Sequence, residues 1–135
     1  MLNKDEALKY LYLTCVLLFS LPAFSADNDW LKNITGDYEG EIYNDNVMTS
    51  AVTSFYVNKE GEVIGTYLIV EDDNDNEPGI LTNLRVIGEN SVSMTWIDKY
   101  GQGTLNVLFS EDFDAFTGFW GTETVYVNLP WYGER

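Results

Sequence analysis

The stretch Phe116-Thr117-Gly118-Phe119-Trp120 sets a glycine midway between two aromatic rings. Residues two apart in a strand share one face of the sheet. The same spacing recurs at Gly36/Tyr38, Tyr38/Gly40, Gly65/Tyr67 and Trp131/Gly133. A glycine in such a place leaves room for a neighbouring ring to lie across the backbone, and it lets the strand coil sharply. Small closed barrels need both. The pattern predicts tightly curved, aromatic-filled antiparallel β-structure, and it names no chemistry.

The flanking sequence extends this pattern. Residues 37–43, 51–58, 63–71, 80–87, 91–98, 103–110, 116–122 and 124–131 each carry β-branched or aromatic residues with partial alternation. Turn signals separate them, among them Asn44-Asp45-Asn46, Asn58-Lys59-Glu60-Gly61, the acidic run from Glu71 to Gly79, Gly88-Glu89-Asn90, and Asp98 to Gly101. No amphipathic helix of ordinary length is visible. Residues 28–34 read as a short helical or irregular lead-in whose Trp30 and Leu31 pack back on the body. About eight short strands joined by short turns predict an all-β, antiparallel up-and-down barrel. A β-sandwich is the competing architecture, but no long Greek-key crossover is present to build one.

The first residues read differently. An apolar run from Tyr10 to Phe24 follows Lys4 and Lys9 and ends in the small residues Ala23, Ser25 and Ala26. It is short for a bilayer span. This is the layout of a secretory signal peptide over residues 1–25, cut after Ser25, with residues 26–135 as a single exported domain. An uncleaved anchor is the rival, because Asp5 and Glu6 offset the two lysines. The expected location is secreted or periplasmic, with no membrane association after cleavage. Cys15, the only cysteine, lies inside the apolar run, so the exported part would carry no disulfide and must stand on its core alone.

Charge narrows the partners. The chain has 7 basic and 22 acidic residues, a formal net charge of −15. Such a surface repels nucleic acid and anionic lipid, favours a soluble monomer, and suits a basic protein partner. Arg85, mid-strand in Leu84-Arg85-Val86, is an ordinary surface residue if alternation points its neighbours inward.

The succession Gly36-Asp37-Tyr38, then the G-x-x-x-G-x-Y of Gly61 to Tyr67, then the tryptophan strand Val92 to Trp96 resembles the avidins and the wider calycin (lipocalin-type) barrels. In those families a cation from the last strand packs on an N-terminal tryptophan. The resemblance implies that Arg135 covers Trp30, Tyr38 or Trp131. The first aromatic here is Tyr38 rather than tryptophan, and the polar residues that avidins present to biotin have no counterpart. The resemblance thus carries a fold and transfers no ligand.

The residues available for chemistry are few in kind. The chain has no histidine, and its one cysteine lies in the leader. Ser–His and Cys–His catalysis and the usual zinc, copper and haem sites are thereby excluded. No phosphate-binding glycine loop precedes a helix, and no cofactor or metal is expected. In residues 71–77, Asp73, Asp75 and Glu77 alternate as calcium ligands would. However, Pro78 stands where the calcium loop needs glycine, and its twelfth position is Leu84 rather than Glu. A solvated acidic loop is the simpler reading. Asp37, Glu39 and Glu41 share one face of the first strand and read as its solvent side. Asn33-Ile34-Thr35 fits the N-glycosylation pattern.

The candidate ligand-binding residues are Tyr38, Phe55, Tyr67, Trp96, Phe116 and Trp120. Facing inward, they would line the barrel and stack on a small apolar or aromatic ligand, or they would simply fill it. The expected function is therefore an exported, non-enzymatic binding module. The alternative is a filled barrel serving as a protein–protein accessory or inhibitor through its acidic surface. An enzyme built on carboxylates and tyrosines ranks last.

Overall fold

The computed structural model describes residues 28–70, 77–122 and 126–135. The expected leader, its cleavage site and most of the acidic run 71–77 lie outside the described residues. A short 3-10 helix, Asp29–Ile34, leads into eight strands: β1 (Gly36–Asn44), β2 (Val47–Val57), β3 (Val63–Ile69), β4 (Gly79–Gly88), β5 (Ser91–Asp98), β6 (Gly101–Phe109), β7 (Ala115–Thr122) and β8 (Leu129–Glu134). Each strand pairs antiparallel with the next, and β8 returns to β1, which closes the barrel. The predicted barrel forms, and the sandwich alternative does not.

Local chemistry explains the details. Asp45 (φ 51°) and Asn46 (φ 66°) both take left-handed backbone, the two-residue hairpin geometry that matches strand twist. Asn83 (φ 55°) marks a break in register between Thr82 and Arg85 in β4. Beyond it Leu84 and Val86 are partly buried and Arg85 is exposed, as alternation prefers.

The last strand departs from expectation. It runs over Leu129–Glu134 rather than 124–131. Its inward residues are Trp131 and Gly133, both buried. Pro130 has no N–H to give, and the ladder to β1 stops one residue short of it, at Ile42↔Trp131.

The glycine–aromatic spacing has its cause across the strands. Phe55 faces Gly65, Tyr67 faces Gly79, Trp96 faces Gly103, Phe116 faces Gly133 and Trp131 faces Gly118, each directly opposite on the neighbouring strand. At Gly65, Gly79, Gly103 and Gly133 the partner's ring lies against the bare backbone, whereas at Gly118 the near neighbours are backbone oxygens and Leu105. At Gly133 a Cβ would come within 2.8 Å of Phe116 Cε1 and 2.9 Å of Tyr38 Cβ. These glycines therefore make the space that the rings fill.

One end of the barrel is sealed. Tyr38, Phe55, Phe109 and Phe116 form a cluster with centroid separations from 5.3 Å (Tyr38–Phe116) to 6.1 Å (Phe55–Phe116), mostly edge-to-face. Trp30 stacks on Phe113 at 6.0 Å above them, and Ile34 is fully buried beneath the helix. The Tyr38 hydroxyl donates to the Phe113 carbonyl at 2.7 Å. Of the three places expected for Arg135, the structure shows Tyr38: the guanidinium carbon lies 4.9 Å from that ring's centroid. Its nitrogens donate to the carbonyls of Thr35 (2.6 Å) and Asn33 (2.8 Å), and Nε lies 3.5 Å from Asp114.

Candidate functional site

The middle and far end of the interior hold the indoles. Trp131 donates to the Thr53 hydroxyl (2.9 Å), Trp96 to the Gly121 carbonyl (3.0 Å) and Trp120 to the Tyr43 carbonyl (3.0 Å). Trp96 and Trp120 meet edge-to-face at 5.5 Å. Among the described residues no buried side-chain polar atom lacks a partner. All three ring N–H groups are thus committed to the protein itself.

Above them, among the described residues, the barrel is open. A hollow of about 530 Å³ occupies the mouth formed by the ends of β1, β3 and β5 and the starts of β2 and β4. That volume is in the range of small-molecule sites, about 300–1,000 Å³. Its floor is Tyr67, which is 6% exposed and packs edge-on against Trp131 at 4.8 Å. The Tyr67 ring can lie there because Gly79, opposite, has no side chain to collide with it. Its hydroxyl donates to Asp98 Oδ2 at 2.7 Å, and Asp98 Oδ1 accepts the Tyr100 amide at 2.8 Å. Thr49 and Ile69 form walls, while Asp45, Glu77, Lys99 and Tyr100 stand at the rim.

Burial and the neighbouring Asp98 carboxylate push the Tyr67 phenol well above its ordinary range. The hydroxyl therefore remains a donor throughout the physiological range. Tyr38, at the sealed end, is also raised, chiefly by burial, with Arg135 acting in the opposite direction.

The six sequence-predicted residues all lie on the interior side of their strands, but they are not one site. Tyr38, Phe55 and Phe116 belong to the sealed cluster, Trp96 and Trp120 pair with each other, and Tyr67 alone borders the mouth. Sequence reasoning missed Asp98, taking it for a turn residue. The available signal was phase: Val92, Met94 and Trp96 face inward, so Asp98 continues that row. Asp37, Glu39 and Glu41 lie on the solvent side of β1, as expected.

A second hollow of about 720 Å³ lies outside the sealed end, between the short helix and the β2–β3 turn. It is larger, but no buried polar pair faces it, whereas Tyr67 and Asp98 face the mouth. Comparison with known proteins adds no further constraint: no family model matches the chain, and no curated protein and no solved structure is significantly similar to it.

Proposed function

We propose that this chain is a small-ligand binding module whose ligand enters the open mouth and stands on Tyr67. The observation that carries this reading is the contrast along the interior. Packed rings fill the barrel up to Trp131, and the vacant volume begins at the Tyr67–Asp98 pair. A calycin-type barrel, closed at one end and open at the other, is the fold-level analogy that fits. A ligand buried among Tyr38, Phe55 and Phe116 would have to displace close-packed rings at a cost of several kcal/mol. Export, on the strength of residues 1–25, and the absence of catalysis belong to the same reading.

The test is a melting-temperature screen of small molecules on the intact protein, repeated on Thr49→Trp. Thr49 lines the mouth, and an indole there narrows it. Ligands that raise the melting temperature of the parent and lose that effect in Thr49→Trp support the reading. Ligands that stabilise both proteins equally place the site elsewhere.

A second reading has one observation in its favour. Glu39 faces Glu134 directly across the β1–β8 seam, and Glu41 beside them holds the Tyr132 hydroxyl. Like charges opposite one another are destabilising, and Phe119 is exposed on the adjoining strand β7. A basic protein docking there would relieve the repulsion. Such a complex would dissociate as salt rises and would be insensitive to Thr49→Trp.

A further inference from the structure

Resting on the reading of the mouth as the binding site, we infer that its ligand is an organic cation, an ammonium group carried on an aromatic or alkyl body. Four observations converge on the sign of the charge. Asp98 is only partly buried, and among the described residues the hydrogen bonds shown to it come from neutral donors, the Tyr67 hydroxyl and the Tyr100 amide. Neither donor neutralises the carboxylate, and each of its oxygens retains acceptor capacity toward the hollow. A negative charge removed from part of its water is stabilised by any cation brought beside it.

The second observation is the balance at the rim. The lining holds the carboxylates of Asp45, Glu77 and Asp98 against the single ammonium of Lys99. Around it the chain carries a formal net charge of −15, which concentrates cations and repels anions at any concave opening. Third, the aromatic groups suit an ammonium. Tyr67 forms the floor, and the rim ring of Tyr100 already has an ammonium near it, Lys99 Nζ at 5.3 Å from its centroid. Fourth, the floor has little to offer an anion. The Tyr67 proton is directed at Asp98, and the three neighbouring indole N–H groups are spent on Thr53, Gly121 and Tyr43. An anionic ligand reaching the floor would meet the Asp98 carboxylate, and the Tyr67 proton beside it is already given to that carboxylate.

The experiment uses the full chain and three probes of similar size: benzyltrimethylammonium, its carbon isostere neopentylbenzene, and benzoate. Binding is read from tryptophan fluorescence, since Trp131 touches Tyr67. The cation should bind about tenfold more tightly than the isostere, and benzoate more weakly than either. Asp98→Asn should weaken binding of the cation far more than binding of the isostere, and so remove most of that preference. Tyr67→Phe keeps the carboxylate and should retain the preference; it also controls for loss of the hydrogen bond seen in Asp98→Asn. Isostere or benzoate binding as tightly as the cation, with all three lost in Thr49→Trp, overturns the charge inference and leaves the mouth reading standing. A preference that survives Asp98→Asn also overturns it, because the charge would then come from elsewhere. If no probe binds, or if Thr49→Trp changes nothing, the mouth reading fails and this inference fails with it.

Discussion

The two ends of this barrel are built from the same kinds of residue and do opposite things. At the sealed end Tyr38 donates its hydroxyl to a backbone carbonyl, and its ring lies between a phenylalanine cluster and the Arg135 guanidinium. At the open end Tyr67 donates its hydroxyl to Asp98, and its ring packs on Trp131 below while the hollow lies above. Both tyrosines are buried, but Tyr38 is enclosed by protein whereas Tyr67 borders the hollow. The difference comes from what stands over each. The short helix with Trp30, and Phe113 from the β6–β7 loop, cover the first. Over the second, among the described residues, stand the rim side chains of the hollow. Among the described residues, packing is complete where the short helix and Phe113 act as a plug, and a hollow remains at the opposite end.

The comparison breaks most severely at the sealed end. Phe55→Ala removes a ring in contact with Tyr38, Phe109 and Phe116, and should cost about 3–5 kcal/mol in denaturant unfolding. Thr49→Ala at the mouth should stay within about 0.5 kcal/mol. Equal costs at the two ends would contradict the division drawn here. Gly133→Ala comes next. Its methyl group would press on both Phe116 and Tyr38, and overpacking of this kind costs about 1–3 kcal/mol. Circular dichroism melts would show it as a lowered midpoint without loss of strand signal.

A smaller and sharper contrast concerns Phe113, which holds left-handed backbone (φ 60°), an uncommon state for so bulky a residue. Truncation to alanine loses the ring and keeps the strain, whereas truncation to glycine loses the ring and releases it. Phe113→Gly should therefore be more stable than Phe113→Ala by about 1 kcal/mol, against the usual order for the two residues.

The last contrast is silent at neutral pH. Both raised phenols favour their protonated form in the folded state. Their stabilising contribution is fully present below the unfolded tyrosine value of about 10 and is lost as pH rises beyond it. Melting temperature should fall above about pH 10, and less steeply in Tyr67→Phe. An identical decline in that variant would mean that Tyr67 does not titrate with folding.

Much of this architecture is legible from residue spacing. Turn chemistry at Asn44-Asp45-Asn46 and alternation in Leu84-Arg85-Val86 place hairpins and faces correctly, because both depend on neighbours along the chain. The β8 register was not legible. The expected strand ended at Trp131, and Gly133 belongs to it because Phe116, seventeen positions away in sequence, lies opposite it in space. The candidate site was harder still. Tyr67 and Trp120 read alike in sequence, and only closure of the barrel shows that the first faces the vacant mouth. Asp98 looked like any acidic turn residue, because the partner that distinguishes it, Tyr67, comes from a strand two places round the barrel.

The seam between β1 and β8 has a kinetic consequence. Seven of the eight ladders join strands that follow one another in the chain, so each can form as a local hairpin. The eighth joins residues such as Glu41 and Tyr132, 91 positions apart. Relative to a hairpin of about ten residues that is roughly three doublings of loop length, or about 2 kcal/mol of additional chain entropy met in one step. The meander is expected to zip early and wait for its edges to meet, so the folding time is set by ring closure and by little else. Arg135 clasps the carbonyls of Asn33 and Thr35 only after the edges have met. It therefore acts as a latch: removing it should leave the rate of closing nearly unchanged and raise the rate of opening.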